Sequence, residues 1–199
     1  MTLGGIDRIA GALGASVHVQ IRWQGEQLDR LIDAAHAGLQ QSVAEALTAM
    51  GWAVRVEVSF NHYGDRGRVD ILAFHPALRV LLVVEIKSAL GDLQETLGRL
   101  DVKARLGAQL ARDQGWADVA IVIPALVVGD SRNARAIVAE HGALFARYDV
   151  RGRAALAWIR HPTVPMPTGL LWYVNRQDSH QVTNGRSRVG SSRSNSHQA

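Results

Sequence analysis

The stretch "RVLLVVEIK", residues 79–87, is an apolar run that carries Glu85 and Lys87 where a buried strand should carry no charge. Fifteen residues before Glu85, "RVDILAF" carries Asp70. Alternate residues of a strand point to opposite sides of a sheet, so Leu81, Val83, Glu85 and Lys87 share one face. If "HPAL", residues 75–78, closes a hairpin, Asp70 comes beside Glu85, and two carboxylates and an ammonium meet at one sheet edge. Two carboxylates can hold a hard divalent cation through their oxygens, and such a cation polarises a phosphate and activates a water. A lysine beside them can orient that water and stabilise the negative charge that builds up on the phosphate. These residue types suit phosphodiester hydrolysis.

The pattern around the trio supplies elements to position it. Leu28, Leu31, Ile32, Ala35, Leu39, Val43, Ala46, Leu47 and Met50 recur at helical spacing from Glu26, which predicts a long amphipathic helix stopped at Gly51. "AVRVEVSF" alternates Val54, Val56, Val58 and Phe60 against Arg55, Glu57 and Ser59, a first strand, and "NHYGDRG" reads as the turn that follows. After the hairpin, Leu93, Leu97, Leu100, Leu106 and Leu110 mark the inward side of a second long helix. "ADVAIVIPALVV" is apolar throughout, as a strand covered on both faces must be. A short helix after Ser131, a strand over "ALFARYDV", a helix ending before Pro162 and a last apolar segment "GLLWYV" complete the order. Helices and strands in this order predict an α/β fold with a mixed sheet flanked by helices.

Asp70, a spacer and Glu85-x-Lys87, set between two helices, resemble the PD-(D/E)XK nuclease superfamily, whose fold is restriction-endonuclease-like. Gly64 and Gly67 lead into the Asp strand as in that family, and Val69 stands where a proline is common. The resemblance covers roughly residues 26–130. It implies a metal-dependent endonuclease acting on DNA, with Asp70 and Glu85 ligating Mg²⁺ or Mn²⁺, the Ile86 carbonyl as a further ligand and Lys87 positioning the water. A further acid would be Glu57, which alternation aims with Asp70, or Glu45 on the first long helix, and Gln94 is the nearest polar residue of the next helix. Lys103, Arg105, Arg66 and Arg68 are candidate contacts to DNA phosphates.

The segment "IDRIAGALGA" resembles the last helix of Cro/repressor-type helix-turn-helix domains, and Val17, Val19, Ile21 and Trp23 alternate after it as a strand would. The helices that enter the major groove in that family would lie upstream, so a fragment of a longer product, or a natural truncation, is expected. This resemblance supports a rival function, a DNA-binding transcriptional regulator whose nuclease-like domain does not cleave. The expected organisation is residues 1–25 as the helix-turn-helix remnant, 26–175 as the nuclease-like domain and 176–199 as a disordered basic tail. A homodimer is compatible with either function.

Charge distribution limits what the net charge of +4 implies. Arg176, Arg186, Arg188 and Arg193 against Asp178 place +3 of it in the Ser- and Asn-rich tail, so the body is close to neutral. The chain has no cysteine, which excludes disulfides and thiolate chemistry and fits a reducing, cytoplasmic setting. It has neither the roughly 20-residue apolar run of a membrane span nor a nucleophile elbow, Walker loop or dinucleotide fingerprint. His62 and His75 lack ligand spacing and read as loop residues, and the five tryptophans read as packing groups.

Overall fold

A computed structural model describes residues 3–14, 26–62 and 64–175. The expected strand at 17–23 and the tail from 176 lie outside the described residues. Two compact units divide between Ile32 and Asp33. The first holds α1 (Leu3–Ala12), followed by Gly14 at a φ of +68°, and the opening turns of α2 (Glu26–Ala49).

From Asp33 onward the chain is an α/β unit around one six-stranded mixed sheet. After α2 come β1 (Ala53–His62), β2 (Asp65–His75), β3 (Val80–Lys87), α3 (Leu93–Asp113) and β4 (Ile121–Gly129). α4 (Arg132–Glu140), β5 (Val150–Arg151), α5 (Arg153–Arg160) and β6 (Leu170–Val174) follow. The strand order is β1-β2-β3-β4-β6-β5, antiparallel across the first three strands and parallel from β3 onward. β4 lies between β3 and β6, which accounts for its unbroken apolar sequence.

Two apolar layers sandwich this sheet. On one side Leu39, Val43 and Leu47 of α2 and Trp158 and Ile159 of α5 pack on Ile71, Ala73, Leu82, Val84 and Ile86. On the other, Leu100 and Leu110 of α3 and Val138 of α4 pack on Leu72, Leu81, Val83, Leu126 and Val128. Each fully buried Leu, Ile or Val adds about 1.5–3 kcal/mol over leaving it in water. β3 carries residues of both layers and is buried from Val80 to Ile86.

Details correct the sequence reading. The β1–β2 turn is shorter than "NHYGDRG": both strands run on to His62 and Asp65, with Gly64 at a φ of +92° between them. His75 is the last residue of β2 and meets Trp52 edge-on rather than lying in a loop. Residues 141–147 form turns, with i to i−3 backbone bonds such as Ala146 N–H to Ala143 O, and the expected strand shrinks to Val150–Arg151. Phe145 and Tyr148, which gave that segment its strand-like pattern, are core residues in and just after the turns.

Candidate active site

The hairpin register carries the main expectation. Ile71 pairs with Val84 and His75 with Val80, so the next step along the hairpin sets Asp70 against Glu85. The two strands part there. Instead of continuing the ladder, the Asp70 carboxylate accepts the backbone N–H of Ile86 through Oδ2 at 2.7 Å. From α2, Gln40 Nε2 donates to the Asp70 carbonyl at 3.0 Å, and His36 Nε2 lies 4.0 Å from Asp70 Oδ2.

Glu85 is only 3% exposed, and each of its oxygens meets a lysine. Lys87, on the same face of β3, holds Oε1 at 2.9 Å, and Lys103 of α3 donates to Oε2. Lys103 is itself 8% exposed. Its depth follows from the helix that carries it. At Gly107, one turn on and on the same face, a Cβ would sit 2.8 Å from Val122 Cγ1 and 3.0 Å from Val83 Cγ2, so only glycine lets α3 press this close to the sheet. That approach delivers Lys103 to Glu85.

Burial and the negative charge of Glu85 push the Asp70 carboxyl above its ordinary range, while the Ile86 N–H, Lys103 and His36 pull it the other way. Two carboxylates close enough to repel are an oxygen donor pair of the kind that can hold a divalent ion, with which the lysines on Glu85 would compete. These two acids are the side chains that would hold the implied metal; among the described residues no third His, Cys, Asp or Glu joins them in a group placed to hold an ion. Glu85 and Lys103 form the floor of a cleft of about 370 Å³, walled by Phe60, Arg66, Arg68 and Arg99. Tyr148 lies in the same electrostatic neighbourhood: its hydroxyl is buried without a hydrogen-bond partner, and burial first, then Asp101 and Glu85, raise its pKa against the pull of Arg147.

The other candidates are dispersed. Glu57 lies across the hairpin from Asp70, but its side chain is 54% exposed and pairs with Arg68 at 3.1 Å. The reason is a turn-over at this point: Glu57 has a φ of +53°, and although the register continues, Val54 packs in the α2 layer and Val58 and Phe60 in the α3 layer. Simple alternation therefore breaks at the residue it was used to aim. Glu45 takes a hydrogen bond from Gln41 and lines an apolar hollow of about 460 Å³ between α2, α5 and β6, away from Asp70. Gln94 is exposed on the first turn of α3, behind the Asp92 cap. Arg66 and Arg68 line the cleft, Arg105 pairs with Asp65 at 3.3 Å, and Lys103 turns inward rather than outward. Ile86 offers its N–H to Asp70 while its position pairs with Val127 of β4.

His36 and Gln40 were missed, although the signal was present. The inward stripe of α2 runs Leu47, Val43 and the buried Gln40 to a half-exposed His36, turning polar at the level of Asp70, and the buried stripe of α3 runs Leu110, Gly107, Lys103, Leu100, Thr96. A polar residue in step with an apolar stripe is a buried polar residue, which must find a partner. No family of known proteins matches the chain, and no curated protein matches it either.

Proposed function

We propose that the chain is a metal-dependent nuclease of the PD-(D/E)XK type that hydrolyses DNA phosphodiester bonds. The observation that carries this reading is the juxtaposition of Asp70 and Glu85 across β2 and β3, with two lysines on Glu85 and a cleft that Glu85 lines together with Arg66, Arg68 and Arg99. The helix, hairpin, strand, helix, strand order of α2 to β4 supports the superfamily assignment. The zero cysteine count supports a cytoplasmic setting, and no described helix is long and apolar enough to cross a membrane.

Asp70 and Glu85 would hold Mg²⁺ or Mn²⁺, with the Ile86 carbonyl as the further ligand implied by the resemblance. When bound, such an ion polarises the phosphate and lowers the pKa of a water. Lys87 is held by Glu85 and its side chain is 35% exposed, so it would be the group that orients a water beside the two carboxylates. The water oxygen would bond to phosphorus, giving its proton to bulk water, as the bond to the leaving oxygen breaks and that oxygen takes a proton from bulk water, while the Lys87 ammonium stabilises the added negative charge. Arg66 and Arg68 would grip the flanking phosphates without reading bases.

The test is cleavage of supercoiled plasmid by purified protein with Mg²⁺ or Mn²⁺, beside Lys87→Ala and Asp70→Asn, with a single-stranded RNA arm to fix the substrate. Nicked or linear products from the wild type, reduced at least about 10²-fold in both variants, are expected. Equal cleavage by the variants, or none by the wild type, overturns the reading. DNA binding without cleavage would favour the regulator.

A further inference from the structure

We infer that Lys103 is a displaceable competitor of the divalent cation: its ammonium holds Glu85 until a cation takes the carboxylate, and then swings to a phosphate in the adjoining cleft. The inference rests on the metal-dependent reading above and adds a control on metal entry that the trio of Asp70, Glu85 and Lys87 does not contain.

Four observations converge on it. Lys103 is the one charged side chain in the buried stripe of α3, so its position is built rather than incidental. Glu85 has no oxygen free of a lysine, with Oε1 on Lys87 and Oε2 on Lys103, so a cation that approaches Glu85 meets an ammonium at either oxygen and competes with it. Lys87 stands on β3 two residues from Glu85, whereas Lys103 reaches in from another element and lines the cleft with Arg66, Arg68 and Arg99. A released Lys103 ammonium therefore has a volume of about 370 Å³ to turn into without moving α3, using only the rotations of its flexible stem.

The energetics favour exchange over simple opening. A buried carboxylate stripped of one partner is costly, so Lys103 leaves readily only when another positive charge arrives. Where it would go, Arg68 and Arg99 are held only by exposed pairs with Glu57 and Glu95, the kind that contribute little and re-pair easily. A nucleic-acid phosphate entering the cleft can thus collect Lys103 and the arginines together. Metal and substrate would then support each other's binding: the cation frees the lysine, and the phosphate keeps it away from Glu85.

The test measures Mn²⁺ binding by electron paramagnetic resonance in the absence of nucleic acid, thermal melting with and without Mn²⁺, and KM for plasmid DNA. The proteins are the wild type, Lys103→Met and Lys103→Arg, with Lys103→Gln as the substitute if the methionine variant does not fold. If the pair is closed about nine-tenths of the time, Lys103→Met should bind Mn²⁺ about tenfold more tightly. Its melting temperature should rise more on adding Mn²⁺ than that of the wild type, while its KM for DNA increases several-fold. Lys103→Arg, which keeps the charge, should restore a KM near the wild-type value. Opposite shifts in metal affinity and KM are what a purely structural lysine does not give. Unchanged or weaker Mn²⁺ binding in Lys103→Met, in a wild type that does bind Mn²⁺, overturns the inference and leaves the nuclease reading standing. Failure of wild type and variant alike to bind Mn²⁺ overturns both.

Discussion

Asp70 and Glu85 meet across one pair of strands, yet they are held by opposite means. Glu85 is sealed between two ammonium groups of the chain itself, Lys87 and Lys103. Asp70 has a backbone N–H on its carboxylate, a histidine 4.0 Å away and the repulsion of Glu85. One acid has its charge balanced from within. The other keeps a raised pKa, because burial and Glu85 outweigh the Ile86 N–H, Lys103 and His36. The two acids are therefore held asymmetrically, and variants of them should fail in different ways.

Function should separate from stability first. Asp70→Asn and Lys87→Ala should each lower plasmid cleavage by about 10²–10³-fold, read as initial rates at saturating Mg²⁺. Both variants should melt as cooperatively as the wild type. Glu85→Ala should instead damage the fold, because it strands two ammonium groups at a buried position. Urea unfolding should show a loss of about 3–5 kcal/mol, and a loss under 1 kcal/mol would mean that the lysines have other partners.

The pH dependence sharpens the contrast. The Asp70 pKa is raised above 3.8 in the fold, so the folded state favours its protonated form. The stability this gives is fully present below 3.8 and is lost as pH rises through the raised value. Asp70→Asn, which mimics the protonated acid, should therefore be more stable than wild type at pH 7 in the absence of divalent ions and no more stable at pH 3. A wild type that is the more stable at pH 7 would mean that Asp70 is a structural acid. Smaller effects belong to the cleft wall. Arg66→Ala should raise KM a few-fold and reduce the salt slope of DNA binding by about 1. Glu45→Ala, at the apolar hollow, should leave cleavage unchanged and stability within about 0.5 kcal/mol.

What was legible in the sequence follows from the same physics. Periods of 3.6 and 2 fix α2, α3 and the hairpin, and turn residues fix the register that joins Asp70 to Glu85. Periodicity fails where the backbone leaves regular geometry. At Glu57 a positive φ turns β1 over, so alternation misdirects that side chain. At 143–149 two aromatics, one in a chain of turns and one just after it, imitate a strand. Lys103 is a different case: its charge reads as a contact to DNA phosphates, although it stands in phase with Leu100 and Leu110 and is buried. Giving phase precedence over polarity would have placed Lys103, Gln40 and His36 at the site.

The central claim is that Asp70 and Glu85 together form one cation site, and counting bound Mn²⁺ by electron paramagnetic resonance tests it most directly. The wild type should bind one Mn²⁺ per chain at neutral pH, with affinity falling as pH drops toward the raised Asp70 value, and Asp70→Asn and Glu85→Gln should each abolish the site. Mn²⁺ bound equally well by Asp70→Asn would contradict the account, because Asp70 would then not be a ligand of the ion.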